Sequence, residues 1–413
     1  MKKILIVVLE EDSATGICVK NVVKCLSDKK YSIDVLSVGL KEKDEIINDR
    51  IRIMHISPKF AIKLKEMRAI RKNRKIISIS AMLYKMQVAI TSLVMWPWNA
   101  PFFTVKLFSK MKMLHKEQNY AIIIPVYTQV DPIIAGYWMK RKYSEILYVP
   151  YFLDALSGGP TPRLLSTEQK IKKGLKWEKK LLSNADRIVV MQSSAEHHKR
   201  YSSEMPYYSN MRFLDIPMLL EPKKIDNFNE KKENANKIIL TYLGSMPLSI
   251  RNPYYALNLL REFDNIEVRF IGNMPDSEEY RRFCTSIKQV KLISSIPHEN
   301  ISQYIYETDI LINIGNNIAE MVPSKIFEYM SYGKPILSFS PNLNDPSIEY
   351  LKRYPNACII NESNNRSQNK NIISEFLNCA TKRSVSFEEV RKEFYLNTPE
   401  CFAEFISSLE GGK

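Results

Sequence analysis

Apolar residues in this chain come in short runs of strand length, most of them followed by a stretch with helical spacing. In the first half the runs cover 4–9, 33–38, 51–56, 120–125, 146–151 and 187–191, with a helix expected around 19–26 after the first. Continuous apolar runs of this length suit strands buried on both faces. From Glu221 to Lys237 the sequence EPKKIDNFNEKKENANK has almost nothing to bury and reads as a linker. The alternation then restarts with a strand at 238–243, a helix at 254–262 and a strand at 266–271 ending on Gly272. Further runs follow at 290–293, 310–314, 335–339 and 357–360. Strands alternating with helices predict an α/β chain with doubly wound parallel sheets, here formed twice. In such sheets ligands sit at the carboxyl ends of the strands.

The most informative stretch is ILINIGNNIAEMVPSKIFEYMSYGKPIL, from Ile310 to Leu337. A short apolar strand ends at the turn-forming Gly315-Asn316-Asn317. Pro323-Ser324-Lys325 then opens a helix, with Ser324 expected as its N-cap and Glu328 placed to answer it. Ile326, Phe327 and Met330 give that helix an apolar face, and Gly333 with Pro335 ends it. Glu320 in the loop and Glu328 on the helix are the two carboxylates of the stretch. A strand, a loop and a helix start together make a phosphate-accepting unit.

Length agrees with two domains: 413 residues exceed one ordinary core, and two units of roughly 200 are expected. The chain is 45% apolar and 25% charged, a globular composition. Its formal charge of +15 calls for an acidic partner, whether nucleic acid, an anionic membrane surface or an acidic nucleotide. No common nucleic-acid-reading motif is present, so nucleic acid is not expected as a partner. The six cysteines are scattered without a CxxC pair and read as reduced thiols, which places the chain in the cytoplasm. Neither they nor the five histidines show metal-ligand spacing, so no metal is expected, and His197-His198 reads as a solvated pair. The N-terminal MKKILIVVLEEDS has an apolar run too short for a signal peptide and is expected to be a buried strand.

One region breaks the rhythm. From Lys59 to Lys75 there are eight basic residues and a single acid, followed by ISISAMLYKMQVAITSLVMWPWNAPFFTVKLF. Basic residues beside Trp96, Trp98, Phe102 and Phe103 resemble a membrane-surface segment. Ordinary core and cleft helices are the second reading. A true span is the third, against which stand Pro97, Pro101 and an apolar stretch of about a dozen residues where a span needs ~20.

The run EMVPSKIFEYM followed by SYGKPIL resembles the donor-site motif of glycosyltransferase family 4 and its GT-B relatives, which carry Glu, seven residues, Glu, then Gly-x-Pro. The resemblance implies a GT-B fold, two Rossmann-like domains with an interdomain cleft. It implies domains at 1–221 and 237–385, a linker at 222–236, and a segment of about 386–413 that returns to the first domain. It assigns Glu328 to the ribose of a nucleotide-sugar donor and Glu320 to the donor sugar and reacting carbon. In YLGSMPLSIRNPYYALNLL, Gly244 and Ser245 are expected where the backbone passes close to the donor, and Arg251 where a fork can grip the diphosphate. The commoner pattern has a Lys after that Arg; here Lys325, beside Ser324, is the candidate for the second charge. The turn Ile296-Pro297-His298 is expected beside the nucleobase.

The first domain matches more loosely. Its first loop, DSATGICVKN, has Gly16 as the only glycine on the acceptor side. WEKKLLSNADRIVVMQSS is similar to the family's helix with a Glu, then Ala-Asp, then a strand ending in Ser. Around VPYFLDALSGG no histidine occurs, and Asp154 is the candidate acceptor-side residue. The resemblance implies a transferase that moves a sugar to a lipid-linked or saccharide acceptor, with retention and without a cofactor. With the basic, aromatic segment it points to peripheral contact with the inner membrane face and to assembly of bacterial capsule, exopolysaccharide or O-antigen. The alternatives are a nucleotide-sugar epimerase or phosphorylase on the same fold, or a catalytically inactive GT-B partner subunit.

Overall fold

The computed structural model describes residues 2–11, 13–39, 44–57, 95–159, 165–222, 237–275, 277–297, 300–317, 322–380 and 385–409. The chain divides into two compact units, one of Met1–Pro217 with Pro399–Lys413, the other of Met218–Thr398. Residues 223–236 of the expected linker lie outside the described residues. The chain rejoins the first unit at Pro399, later than the 386 read from the sequence.

The first unit is built on β1 (Lys3–Val7), β2 (Ser32–Val38), β3 (Asp44–Asn48), β4 (Ile51–Ile56), β5 (Ile122–Tyr127), β6 (Leu147–Tyr148), β7 (Tyr151–Phe152), β8 (Ile188–Met191) and β9 (Met211–Leu214). They form one nine-stranded sheet in the order β3-β4-β2-β1-β5-β7-β8-β9, with β6 beside β5. Every described pairing is parallel except β3 against β4. Between the strands run α1 (Ala14–Asp28), α2 (Pro101–Gln118), α3 (Val130–Lys142), α4 (Thr167–Leu182) and α5 (Ala195–Arg200). The apolar runs do what their composition requires: Ile4, Leu5, Ile122 and Ile188 are completely buried. α4 begins with a full capping box, in which Ser166 accepts from Gln169 N–H and the Gln169 side chain answers the Ser166 N–H.

The second unit holds six parallel strands, β10 (Ile238–Leu243), β11 (Ile266–Ile271), β12 (Val290–Ile293), β13 (Ile310–Ile314), β14 (Ile336–Ser340) and β15 (Ala357–Asn361). Their order is β12-β11-β10-β13-β14-β15. That is the doubly wound dinucleotide-fold order, in which the sheet reverses direction of growth between the first and fourth strands. Here the reversal falls between β10 and β13, and the ends of these two strands are where the general rule for such sheets looks for a ligand. The helices are α6 (Tyr254–Leu260), α7 (Glu278–Thr285), α8 (Ile301–Glu307), α9 (Lys325–Ser331), α10 (Ser347–Arg353), α11 (Arg366–Cys379) and α12 (Phe387–Glu393). The last helix, α13 (Pro399–Ser408), belongs to the first unit, where Phe402 meets Tyr151 with ring centroids 4.9 Å apart.

α9 is short, and packing holds it in place. Ile326, Phe327 and Met330 are 0% exposed, as the spacing predicts; burying one such side chain contributes roughly 1.5–3 kcal/mol. Its end is set by Gly333, at φ +65, whose N–H returns to the Met330 carbonyl. A Cβ there would meet the Val385 carbonyl oxygen at 2.1 Å, so the stop is steric as well as conformational.

Candidate active site

The switch point of the second unit gathers most of the residues expected to hold a donor. β10 ends at Leu243, and Gly244 follows at φ +133, a conformation that L side chains rarely adopt. Gly272, after β11, has φ +137 and lies against it: a Cβ on Gly272 would come within 2.2 Å of the Gly244 carbonyl oxygen. Ser245 is exposed, and its carbonyl accepts from Tyr242 Oη at 2.9 Å and from Arg251 Nη1 at 3.2 Å. Arg251 also donates from Nε to Asn316 Oδ1 at 2.6 Å, while the Asn317 N–H is bonded to the Ile250 carbonyl. The loop after β10 is thus stitched to the loop after β13.

Asn316 is 1% exposed and was not singled out from the sequence, because an asparagine after a strand reads as a turn former. Tyr329 was missed as well. Its ring is buried under α9, and its hydroxyl receives the Leu243 N–H at 2.9 Å, tying α9 to the end of β10. Only its helical spacing with Ile326 could have signalled burial; nothing local signals the hydroxyl's partner.

On α9 one expectation is corrected. Ser324 makes no side-chain capping bond: its backbone is already helical (φ −56, ψ −24), and the chain enters through a turn in which Ile326 N–H bonds the Pro323 carbonyl. Glu328 has a partner on its own helix. Its Oε2 takes a hydrogen bond from Lys325 Nζ at 2.6 Å, one turn apart on the half-buried side of the helix. Lys325 and Glu328 are therefore brought together as a pair, with Ser324 next to them. Glu320 and His298 lie outside the described residues. Pro297 is exposed on the turn after β12. At the ends of β11 and β12 a cavity of about 390 Å³ is lined by Asn273, Met274, Arg281, Thr285, Leu292 and Ser294, among others.

In the first unit Gly16 is buried in the first turn of α1, where Ser13 caps the helix by accepting the Gly16 N–H at 3.1 Å. A Cβ on Gly16 would meet the Glu11 carbonyl oxygen at 2.1 Å, so glycine lets the loop after β1 fold directly over the helix. Asp154 stands exposed on the loop after β7, and no hydrogen bond or ion pair joins its carboxylate to another described residue.

The expectation of a solvated His197-His198 pair is overturned. His198 is 2% exposed, with neither ring nitrogen bonded to a described residue. His197 is half-buried, and its Nε2 lies 2.8 Å from Ser157 Oγ. His198 turns inward from α5 while Glu196, Lys199 and Arg200 stay exposed, and His197 reaches the 151–159 stretch, which has no histidine of its own. Burial lowers the His198 pKa to about 4. Its unfolded value is ~6.5, so between those limits the unfolded chain binds a proton that the fold refuses. This group's contribution to stability is therefore lost as pH falls from about 6.5 toward 4, by on the order of 1 kcal/mol per pH unit. Thermal unfolding between pH 7 and 4.5 should lose less stability in His198→Phe than in the wild-type chain; identical slopes would refute this.

Trp98 and Phe103 also settle inside the first unit. Trp98 packs edge-on to Trp138 and Trp177, at 6.0 and 6.1 Å, and donates from Nε1 to Thr104. Phe102 is 92% exposed, with Val105 and Met113 exposed on the same helix beside Lys106 and Lys116. Among the described residues no helix is long and apolar enough to cross a membrane. Residues 58–94, with the basic run, lie outside the described residues.

A nine-stranded unit, parallel but for its β3 edge, and a six-stranded parallel unit in dinucleotide-fold order define an α/β chain of the GT-B fold, shared with the solved structures below. No family model and no curated protein matches the sequence. Sucrose-phosphate synthase from Thermosynechococcus elongatus is similar over 99% of this chain and 98% of its own, with a TM-score of 0.68 at 13% identity. HepE of Anabaena, solved with UDP and glucose, is similar over 99% and 100%, with a TM-score of 0.63 at 13% identity. A putative UDP-N-acetylglucosamine 2-epimerase from Listeria monocytogenes is similar over 100% and 98%, with a TM-score of 0.57 at 10% identity. At these identities the likeness is one of fold.

Proposed function

We propose that this chain is a glycosyltransferase that moves a sugar from a nucleotide-sugar donor to a lipid-linked or oligosaccharide acceptor. The observation that carries the reading is the switch point of the second unit. There Gly244, at φ +133, clears the backbone and Arg251 is held in place by Asn316 and the Ser245 carbonyl. A nucleoside diphosphate suits this arrangement: an oriented guanidinium for phosphate oxygens, and Glu328 for the ribose diol. The cavity beyond Gly272 is of a size for the base. HepE, solved with UDP and glucose, makes a UDP-sugar the first donor to try.

In the proposed reaction the bond between the anomeric carbon and the diphosphate oxygen breaks, and the acceptor oxygen bonds to that carbon with retention. The acceptor's proton leaves with the departing phosphate oxygen or a nearby side chain. Arg251 and Lys325 offset the charge that grows on the diphosphate, with no metal required. We assign Glu320 to the donor sugar, and Gly16 and Asp154 to the acceptor side. The exposed Phe102, Val105 and Met113 beside lysines on α2 support a lipid-linked acceptor met at an anionic membrane surface. On this reading the enzyme works in the cytoplasm at the inner membrane face, in capsule, exopolysaccharide or O-antigen assembly.

A panel of nucleotide sugars scored by nucleotide release tests the reading. Release from at least one donor, accelerated by an added saccharide, is expected. A donor whose sugar changes configuration without transfer would instead favour epimerisation, the second reading, supported by the likeness to the epimerase. No turnover of any donor would favour an inactive partner subunit.

A further inference from the structure

Three residues of α4, Lys170, Gly174 and Glu178, recur every four positions and so share one stripe of the helix. All three meet the loop 154–159. Lys170 Nζ donates to the Gly159 carbonyl oxygen. Gly174 lets the loop in: a Cβ there would lie 2.6 Å from Ser157 Cα. Glu178 Oε1 accepts from both the Ser157 N–H, at 2.8 Å, and Ser157 Oγ, at 2.9 Å, while its Oε2 accepts from Tyr207 at 3.3 Å. Lys170 is 3% exposed and Glu178 2%.

Burying an ammonium and a carboxylate is a costly way to hold a loop that apolar side chains could pack. Among its described residues this loop carries a single carboxylate, that of the exposed Asp154. A second constraint follows from the hydroxyl of Ser157, which has a single hydrogen. With Glu178 ionised that hydrogen goes to its Oε1, so the contact of 2.8 Å with His197 Nε2 requires the imidazole to donate. His197 is thereby set with its proton on Nε2, and a Cβ on Gly158 would sit 3.2 Å from the His197 ring.

We propose that Lys170, Gly174 and Glu178 are positioning residues for the acceptor side: they fix the 154–159 loop so that Asp154 meets acceptor hydroxyls, and Glu178, through Ser157, sets the tautomer of His197. The assignment rests on the glycosyltransferase reading for the role of Asp154, but the tautomer does not depend on it. Burial of Glu178 raises its carboxyl pKa to about 7, against the lowering effect of Ser157, Tyr207 and Lys170, so the helix keeps it at a cost.

Two measurements on the full chain test the proposal. In the first, UDP release from UDP-glucose is followed with decyl glucoside as the acceptor probe. Glu178→Ala is expected to raise the KM for the glucoside at least tenfold and leave the KM for UDP-glucose within twofold. Glu178→Gln, which keeps the accepting oxygen, should restore most of the loss. Equal changes in both KM values, or none, would overturn the positioning role. In the second, nitrogen chemical shifts of labelled histidines, with His197 assigned from His197→Gln, report its tautomer. Above about pH 8, where Glu178 with its pKa of about 7 is ionised, the wild-type ring should carry its proton on Nε2, and Ser157→Ala, which removes no buried charge, should release that preference. A tautomer unchanged by Ser157→Ala would overturn the proposal even if the wild-type chain turns over no UDP-glucose, an outcome that counts against the donor reading alone.

Discussion

Replacing Arg251 by alanine is expected to lower kcat/KM for sugar transfer by about 10²–10³-fold, the loss seen when one preorganised donor to a developing oxyanion is removed. Two of the five N–H groups of its guanidinium are committed, to Asn316 Oδ1 and the Ser245 carbonyl, which fixes the plane of the fork. A bidentate phosphate contact uses two more. Arg251→Lys should recover little, since an ammonium cannot hold Asn316 and a phosphate in one plane. Asn316→Ala tests the same idea from the other side, because it leaves the charge and removes the bond from Nε that orients it. Its effect should fall between those of the wild type and Arg251→Ala. A transferase rate unchanged in Arg251→Ala, measured with the best donor, would contradict the assignment.

Gly272→Ala is expected to cost about 3 kcal/mol or more of stability. The methyl would enter at φ +137 and stand 2.2 Å from the Gly244 carbonyl oxygen and 2.8 Å from its carbon. Both are backbone atoms of a sheet end, so neither can turn aside as a side chain would. The strain should reach the donor loop, because Gly244 and the Arg251 fork share it. A lower unfolding midpoint together with weaker nucleotide binding is the expected pair of results. An alanine variant as stable as the wild-type chain would show that β10 and β11 end with more room than the structure places there.

Most of the second unit was legible because its strands are buried on both faces and its turns are punctuated by glycine. The runs 238–243, 266–271, 290–293 and 310–314 coincide with β10 to β13, and Gly333 ends α9 where expected. In the first unit β3 escaped notice for a physical reason. It is an edge strand with Ile46 and Ile47 exposed, so it has no buried face to impose a pattern. The Ser324 cap failed because a capping signature fixes residue types, not the backbone entering the helix, and a Pro323 turn serves equally well. His197 and Glu178 show the larger limit. A polar helix with two histidines reads as solvated from its own sequence, and the separation of 40 positions between Ser157 and His197 hides their contact. Asp154 was readable as a loop acid; the stripe on α4 that holds its loop needs the fold to be seen.

The central claim is that the end of β10 and the loop after β13 receive the diphosphate of a sugar nucleotide. Calorimetric titration of UDP into the intact chain and into Arg251→Ala tests it without knowledge of the acceptor. Saturable one-to-one binding, weakened at least tenfold by Arg251→Ala, is the predicted result. No binding of UDP or any other nucleoside diphosphate, or binding indifferent to Arg251, would contradict it.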